Sequence, residues 1–374
     1  MSCSNCVRAD AKSIYEAFVN VGVTACRLPV RISASVLSFN RVSMSNRVIR
    51  IASILCGLLL SICLTFGGKL VASAQAITST PDPYVGLSIP ELAVRSYGGG
   101  QLVVDQMQAR GAGFIRYIVH YPSDGLTMYG FMDVPTAAPR NNTGYPVIIA
   151  MHGYIDPAIY QTLDYTTHYA DALARAGYLV IHPNLRGYRP SDSGPNLLRV
   201  GFAVDILNLI AIVRAEGGQA GPLQLVNPAA IGLWGHSMGG GIATRVMVVD
   251  QRIRAVVLYS AMSGDDKQNF AAIRGWTNGQ RGQDEANIPD DVYSRVSPMY
   301  FYDRIQAAVS INHGLADQLV PPAWSANLCV KLQALKKSVD CFTYAGQPHT
   351  FTTAGDQVFI PRMIAFFDAH LRSN

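Results

Sequence analysis

Ser237 is the residue of this sequence whose surroundings most strongly indicate chemistry. It lies in the run Gly235-His236-Ser237-Met238-Gly239, directly after the apolar run Ile231–Trp234 and before a stretch of helical character. A G-x-S-x-G run between a strand and a helix forms a turn that needs glycine on both sides and lifts the serine hydroxyl above the sheet. N–H groups at the start of the helix favour negative charge there. We therefore predict that Ser237 is a nucleophile; the alternative is an ordinary glycine-rich turn.

A serine hydroxyl is a weak nucleophile, so it needs a histidine base and a carboxylate that orients the base. Asp317 follows the apolar run Ala308–Asn312, and His349 follows the run Cys341–Tyr344. Loops at the carboxyl ends of parallel strands meet at one edge of a sheet. The order serine, aspartate, histidine along the chain is also the order found in proteins whose serine lies in such a strand-to-helix turn. We predict that Ser237, Asp317 and His349 form a catalytic triad.

Other residues compete for the two supporting roles. Asp303 and Asp356 are alternatives for the carboxylate, and Asp317 could instead cap a turn. His313 is the nearest alternative to His349, which could itself be a surface histidine. Since His313 still lies within the predicted strand end, we assign it to shaping the Asp317 loop.

An acyl-transfer site also needs two N–H donors for the oxyanion, one after the nucleophile and one from an earlier strand-end loop. Met238 supplies the first. The run Val147–Met151 leads into His152-Gly153-Tyr154, so we predict the Tyr154 N–H as the second donor. The alternative is a tight turn with Tyr154 as a pocket wall, and the two interpretations are compatible. Tyr160 and Tyr165 follow in the same loop as candidates for shaping specificity.

Short β-rich runs alternate with helical stretches after residue 110. The predicted strands are Phe114–Tyr121, Met128–Val134, Val147–Met151, Tyr178–His182, Ile231–Trp234, Ala255–Tyr259 and Ala308–Asn312. The predicted helices are Thr166–Ala176, Leu198–Glu216, Gly239–Val249 and Pro322–Lys336. This alternation predicts an α/β fold, a mostly parallel central sheet with helices on both faces, over residues 111–374. Residues 75–110 form a lead-in segment, with a helix predicted near Leu102–Ala109.

The first 74 residues have the features of a secretory signal. Arg47 and Arg50 precede the apolar run Ile51–Gly68, and a small-residue site follows it, with cleavage expected near Ala74 or Ala76. Counting from Met44 gives a signal of ordinary length, so we expect translation to start there. The protein is therefore expected to be secreted or extracytoplasmic. The alternative is an uncleaved anchor, which would place it at a membrane.

The cysteines divide at the predicted cleavage site. Only Cys329 and Cys341 follow it, and a pair of cysteines in an exported protein predicts one disulfide. Two buried free thiols are the alternative.

Charge and motif content exclude several other classes of function. Residues 75–374 hold 22 basic and 23 acidic residues, so no basic surface suited to nucleic acid is expected. The glycine runs 98–100 and 239–241 fit no nucleotide-binding motif. The remaining histidines share no metal-ligand spacing: His120, His168, His182, His236 and His370. We expect no cofactor, no metal ion and a small-molecule ester or peptide as substrate.

The stretch from about residue 231 to 367 resembles the catalytic domain of the prolyl oligopeptidase (S9) family. The motifs that carry the resemblance are GHSMGG at 235–240, SPMYFYDRI at 297–305, HGLAD at 313–317, VPP at 320–322 and GQPHTF at 346–351. The resemblance implies an α/β-hydrolase fold, peptide hydrolysis, and the roles of nucleophile, carboxylate and base for Ser237, Asp317 and His349.

Two features favour an ester rather than a peptide as the substrate. The peptidases of that family carry a large N-terminal propeller, which residues 75–110 are too few to build. His152-Gly153-Tyr154 is also similar to acetylxylan-esterase-like enzymes, and GHSMGGG with a late disulfide is similar to bacterial cutinases. The insertion at residues 260–298, with Trp276 as its large aromatic residue, is a candidate lid, although packing is the more ordinary role for Trp276.

Overall fold

The computed structural model describes residues 82–140 and 142–372 of the 374-residue chain. The predicted signal segment, its start at Met44 and its cleavage sites lie outside the described residues. Among the described helices, none has both the length and the apolar character needed to cross a membrane.

The described chain builds a nine-stranded sheet in the order β1-β2-β3-β5-β4-β6-β7-β8-β9. The strands β1 to β9 are, in chain order, Val103–Gly111, Phe114–Ser123, Leu126–Pro135, Tyr145–Met151, Leu179–Pro183, Val226–His236, Ala255–Tyr259, Ala308–Gly314 and Val339–Tyr344. The pairs β1-β2, β2-β3 and β3-β5 are antiparallel. The other neighbours are parallel, so the sheet is mostly parallel.

Helices cover both faces of the sheet. Helices α1 to α8 are, in chain order, Ile89–Val94, Thr167–Arg175, Val200–Glu216, Met238–Val249, Asp266–Trp276, Asp290–Val296, Pro322–Ala334 and Thr353–Leu371. One apolar cluster packs α3 and α4 against the sheet, and a second packs α2 and α8 against the opposite face. The predicted fold class is therefore confirmed.

The predicted helix near Leu102–Ala109 is wrong. Residues Val103–Gly111 form β1, which pairs with β2 at the edge of the sheet. Most side chains of β1 are exposed, so its polar residues show no alternation that would mark a strand. Backbone pairing with β2, rather than side-chain burial, fixes this segment as a strand.

Four strand ends carry the predicted functional residues. β4 ends before Tyr154, β6 ends before Ser237, β8 ends before Asp317, and β9 ends before His349. Because β4, β6, β8 and β9 are parallel members of one sheet, these four loops share its carboxyl edge. The insertion between β7 and β8 adds α5 and α6.

Candidate active site

Ser237 occupies a strained turn between β6 and α4. Its backbone has φ 54° and ψ −116°, values that side-chain-bearing residues seldom adopt. A methyl group at Gly235 would lie 2.3 Å from the carbonyl oxygen of Gly239, and one at Gly239 would lie 2.2 Å from that of Met151. The Ser237 N–H donates to the carbonyl of Tyr259 at 2.9 Å. The two glycines therefore allow the close approach that this turn requires.

The structure brings Asp317 and His349 together. His349 Nδ1 lies 2.7 Å from Asp317 Oδ2. Since a carboxylate oxygen accepts, Nδ1 carries the proton and donates it. In a neutral imidazole this leaves Nε2 as the acceptor, which is the tautomer that a general base needs.

Asp317 is held as a carboxylate from two sides. Oδ1 accepts hydrogen bonds from the backbone N–H groups of Leu319 at 2.8 Å and Val320 at 2.9 Å. Oδ2 accepts from His349 and, at 3.0 Å, from His313 Nε2. Burial raises the pKa of Asp317, but the hydrogen bonds from His313, His349 and Val320 outweigh burial and hold that pKa well below its usual range. The carboxylate therefore stays ionised beside the imidazole.

His313 lies behind Asp317 rather than in the position of the base. Its Nε2 faces Asp317 Oδ2 and the carbonyl oxygen of Val320, both acceptors, so Nε2 carries the proton. Its Nδ1 lies 2.7 Å from Ser325 Oγ on α7. His313 thus links the carboxylate to α7, which agrees with a role in shaping the loop. Asp356, an alternative carboxylate, accepts from Tyr169 Oη at 2.8 Å.

The two predicted oxyanion donors belong to the residue after Ser237 and to a loop that passes close to Ser237. Met238 is the first residue of α4, and the first N–H groups of a helix have no partner within the helix. Gly153, which precedes Tyr154, lies so near the nucleophile that a methyl group on it would be 3.0 Å from Ser237 Cβ. The first residue of α4 and the loop that carries Tyr154 thus both adjoin Ser237.

The insertion between β7 and β8 contacts the loop that carries Tyr154. The guanidinium of Arg281, in the turn after α5, lies 5.0 Å from the ring centroid of Tyr154 and pairs with Asp156 at 3.2 Å. Trp276 ends α5 with 44% of its surface exposed. The insertion therefore reaches the oxyanion loop through Arg281.

Two cavities adjoin Met262, whose N–H donates to the Ser237 carbonyl at 3.0 Å. The smaller has about 20 Å³, which is room for one or two waters. The larger has about 200 Å³ and is lined in part by Met299, Trp324 and Leu328. A group of several carbon atoms fits the larger cavity.

Cys329 of α7 and Cys341 of β9 are paired, with their sulfur atoms 2.05 Å apart. No group of three or more His, Cys, Asp and Glu side chains suited to a metal ion occurs within residues 82–140 and 142–372.

No role is predicted for His236 from the sequence, and Tyr165 is predicted only as a candidate for shaping specificity. The structure places both in contact with the loops of the site: Tyr165 Oη lies 2.6 Å from His236 Nδ1. The sequence signal for His236 is its place beside Ser237, but only the fold shows what its ring contacts.

Comparison with known proteins identifies the architecture. Residues 146–294 match the family described as the alpha/beta hydrolase fold. The chain has the α/β-hydrolase fold. At 20% identity and a TM-score of 0.55, the chain is similar to a puromycin-hydrolysing peptidase of Mycobacterium tuberculosis, over 71% of this chain and 41% of that one.

Two further solved structures share the fold. An acetyl xylan esterase from Paenibacillus sp. R4 is 18% identical, with a TM-score of 0.55, over 76% of this chain and 92% of that one. An acylaminoacyl peptidase of Pyrococcus horikoshii is 16% identical, with a TM-score of 0.53, over 75% of this chain and 51% of that one. The predicted resemblance to S9-family catalytic domains is thus confirmed at the level of the fold.

Curated relatives match a shorter part of the chain. An uncharacterised 31.7 kDa protein of Escherichia coli is 29% identical over 128 residues, which is 34% of this chain and 41% of that protein. The lysophosphatidylserine lipase ABHD12 of Xenopus tropicalis is 32% identical over 106 residues, 28% of this chain and 24% of that protein. The matches therefore span less than half the length of these relatives.

Proposed function

We propose that this α/β hydrolase is a serine hydrolase that works by acyl transfer. The observation that carries the proposal is the pairing of His349 Nδ1 with the buried Asp317 carboxylate at 2.7 Å, at the sheet edge where Ser237 forms its strained turn. A base with an oriented tautomer and a nucleophile in such a turn are the parts that acyl transfer needs.

In the proposed reaction, Ser237 Oγ attacks the substrate carbonyl carbon while His349 Nε2 takes the hydroxyl proton. The carbonyl oxygen becomes an oxyanion that accepts hydrogen bonds from the N–H groups of Met238 and Tyr154. When the intermediate collapses, His349 gives its proton to the leaving amine or alcohol, and an acyl-Ser237 ester remains. Water then attacks this ester, again with His349 as base, and the acid and Ser237 are released. Asp317 stabilises the imidazolium in both halves.

Two substrate classes fit this mechanism. The S9-like fold and motifs support a peptidase. A carboxylic ester hydrolase is supported by a different observation: the chain matches 92% of the acetyl xylan esterase but only 41% of the puromycin-hydrolysing peptidase. In both cases, we assign the cavity beside Met262 and Trp324 to a substrate group of several carbon atoms.

We also propose that the protein acts outside the cytoplasm. The basic and apolar pattern before Ala74 supports export, and the pairing of Cys329 with Cys341 suits an oxidising compartment. Determination of the mature N-terminus in the producing cell tests this proposal. We expect Gln75 or Ile77 as the first residue. A chain that still contains Met44 would mean that the apolar segment is not cleaved and remains as an anchor.

The mechanism is tested with the full chain, using p-nitrophenyl butyrate and an N-capped alanyl p-nitroanilide side by side. Ser237→Ala is expected to lower kcat by at least about 10⁴-fold on any substrate that the wild type cleaves. Ser260→Ala is the matched control, since Ser260 is also a buried serine at positive φ (44°) after a strand. Its activity is expected to match the wild type.

The two substrates separate the two classes. An anilide leaves only when His349 protonates its nitrogen, whereas p-nitrophenolate leaves readily without a proton. Cleavage of the anilide would establish a peptidase, and cleavage of the ester alone would favour an ester hydrolase. Activity that survives in Ser237→Ala would refute the proposed mechanism.

A further inference from the structure

Tyr165 and His236 form a hydrogen-bonded chain that joins three loops of the site. The Gly153 N–H lies 2.9 Å from Tyr165 Oη, Tyr165 Oη lies 2.6 Å from His236 Nδ1, and His236 Nε2 lies 3.0 Å from the carbonyl oxygen of His349. Gly153 follows β4, His236 ends β6, and His349 follows β9. The chain thus connects the oxyanion loop, the nucleophile turn and the loop of the base.

The direction of every hydrogen bond in this chain follows from its two ends. A backbone N–H can only donate, so Tyr165 Oη accepts from Gly153. A backbone carbonyl can only accept, so His236 Nε2 carries a proton and donates it to His349. Burial, with a smaller contribution from the neighbouring His349, lowers the pKa of His236 to about 3, so the ring is neutral near pH 7. Nδ1 is then an acceptor, and the Tyr165 hydroxyl donates to it.

In the loop that carries Tyr154, the peptide groups on both sides of Gly153 make hydrogen bonds. Tyr165 fixes the peptide that contains the Gly153 N–H. His152 Nδ1 lies 2.7 Å from the Gly153 carbonyl oxygen, and this carbonyl belongs to the same planar peptide as the Tyr154 N–H. The direction in which the Tyr154 N–H points is therefore set by the hydrogen bonds around Gly153. A methyl group at Gly153 would lie 2.5 Å from Tyr165 Oη, so the chain also depends on glycine there.

The base is likewise held at two points. His236 donates to the backbone carbonyl of His349, and Asp317 accepts from the His349 ring. Together these contacts fix both the loop and the plane of the imidazole. Since Tyr165 and His236 touch these groups rather than the reacting atoms, they act through them.

We propose that Tyr165 and His236 are positioning residues, whose hydrogen-bonded chain fixes the oxyanion donor Tyr154 and the base His349 relative to Ser237. The inference rests on the proposed serine-hydrolase function. It predicts that the reactivity of Ser237 depends on the Tyr165 hydroxyl, although that hydroxyl takes no part in bond making.

The test measures how fast a fluorophosphonate labels Ser237 in the full chain, because labelling requires the nucleophile, the base and the oxyanion hole but no particular natural substrate. Tyr165→Phe is expected to lower the labelling rate constant about 10- to 100-fold, the size of effect that about 1 Å of misplacement produces. Tyr178→Phe is the matched control, since Tyr178 is also a buried tyrosine whose hydroxyl donates a hydrogen bond, to Asp368 at 2.6 Å, and it contacts none of the loops of the site. Its labelling rate is expected to stay within about twofold of wild type.

His236→Gln provides an independent variant, and it carries the test if Tyr165→Phe does not fold. The glutamine amide can place an N–H where Nε2 donates to the His349 carbonyl, but it has no acceptor atom at the position of Nδ1, so the hydrogen bond from Tyr165 is broken and a reduced rate is again expected. In the double variant the two losses are expected not to add on a logarithmic scale, because both break the same chain.

The outcomes separate this inference from the proposed function. If the wild type is not labelled, or Ser237→Ala is labelled equally, the proposed function is wrong. If Ser237 is labelled and folded Tyr165→Phe reacts at the wild-type rate with only a lower melting temperature, the positioning role is wrong. Additive losses in the double variant would also overturn it.

Discussion

Two buried aspartates of this molecule, Asp317 and Asp266, have their charge compensated in opposite ways. Asp317 accepts hydrogen bonds from two imidazoles and two backbone N–H groups. Asp266 pairs with the guanidinium groups of Arg199 and Arg245. An imidazole changes its charge near neutral pH, whereas a guanidinium stays charged at any pH that the fold survives. A carboxylate held by imidazoles can thus support proton transfer, while one held by arginines supports only the fold.

The arginine-held group, here called the salt-bridge cluster, consists of Arg199, Arg245, Asp266 and Glu285. Arg199 pairs with Glu285 at 2.7 Å and with Asp266 at 3.3 Å, and Arg245 pairs with the other oxygen of Asp266. Arg245 lies on α4, the helix that Ser237 precedes, while Asp266 and Glu285 belong to the insertion between β7 and β8. The cluster therefore joins the insertion to α4, the helix that follows Ser237.

The largest expected effect comes from removing the charge of Asp317. In Asp317→Asn, the amide can donate to His349 Nδ1 and so favours the tautomer with the proton on Nε2, where it cannot act as base. We expect kcat to fall about 10³- to 10⁴-fold, as for an altered triad carboxylate. The rate of p-nitrophenyl butyrate or anilide cleavage checks this.

Stability measured on the same variant sharpens the comparison. Asparagine keeps an oxygen for the N–H groups of Leu319 and Val320, so a small change in the free energy of unfolding is expected, about 1–2 kcal/mol. A large loss of stability with kcat retained would mean that Asp317 resembles Asp266, and the distinction between the two aspartates would fail.

The opposite pattern is expected for Arg245→Met. Methionine leaves Asp266 buried with only one guanidinium partner, and breaking a buried ion pair from one side costs about 3–5 kcal/mol. We expect the free energy of unfolding in urea to fall by about this amount, with kcat of the folded enzyme close to wild type.

Arg295→Gln is the control for the arginine variant. Arg295 pairs with Asp291 at 3.3 Å within α6, and both side chains are exposed, so its loss is expected to cost less than about 1 kcal/mol. Equal losses of stability in the two variants would show that burial of the salt-bridge cluster does not increase the cost of losing one of its arginines.

The strands and turns that carry Ser237, Asp317 and His349 could be predicted from the sequence, whereas the contacts of the neighbouring residues could not. Ser237 has a local signal, because its glycines and the preceding apolar run together define the turn. Asp317 and His349 each follow an apolar run, so their place at the carboxyl edge could be inferred from the strand pattern. Strand β1 could not be predicted in this way, because an exposed edge strand has no alternation of buried and exposed positions.

Contacts between different loops at the sheet edge cannot be predicted from a single sequence. Tyr165 and His236 are far apart in the chain, and so are Arg199 and Glu285, so neither pairing follows from spacing. Tautomers are also invisible in the sequence, since they depend on which acceptor faces each ring nitrogen. The strand pattern therefore predicts which residues lie at the carboxyl edge of the sheet, whereas the contacts that position them are found only in the structure.

The smallest expected effect concerns the pH dependence of stability, in which the buried histidines differ from Asp317. Burial lowers the pKa of His152 to about 4 and of His236 to about 3, and it lowers that of His182 well below the ordinary value. In the unfolded chain these rings bind protons below about pH 6.5. Stability is therefore unaffected by these rings above pH 6.5 and falls as the pH drops from there to the folded pKa, which is about 4 for His152 and about 3 for His236. For Asp317, whose pKa is depressed, the loss occurs only below about pH 4.

Removing one buried histidine should change this slope without changing the Asp317 window. Each such histidine makes the free energy of unfolding fall by up to about 1.4 kcal/mol per pH unit below about pH 6. His182 donates to or accepts from Thr166 Oγ1 at 2.7 Å and stacks on Phe131, so His182→Gln removes a titrating group away from Ser237. Urea unfolding at pH 6.0 and 5.0 is expected to show a slope smaller by about that amount. An unchanged slope would mean that His182 does not titrate differently in the folded and unfolded chain, and that the acid sensitivity between pH 6 and 5 has another source.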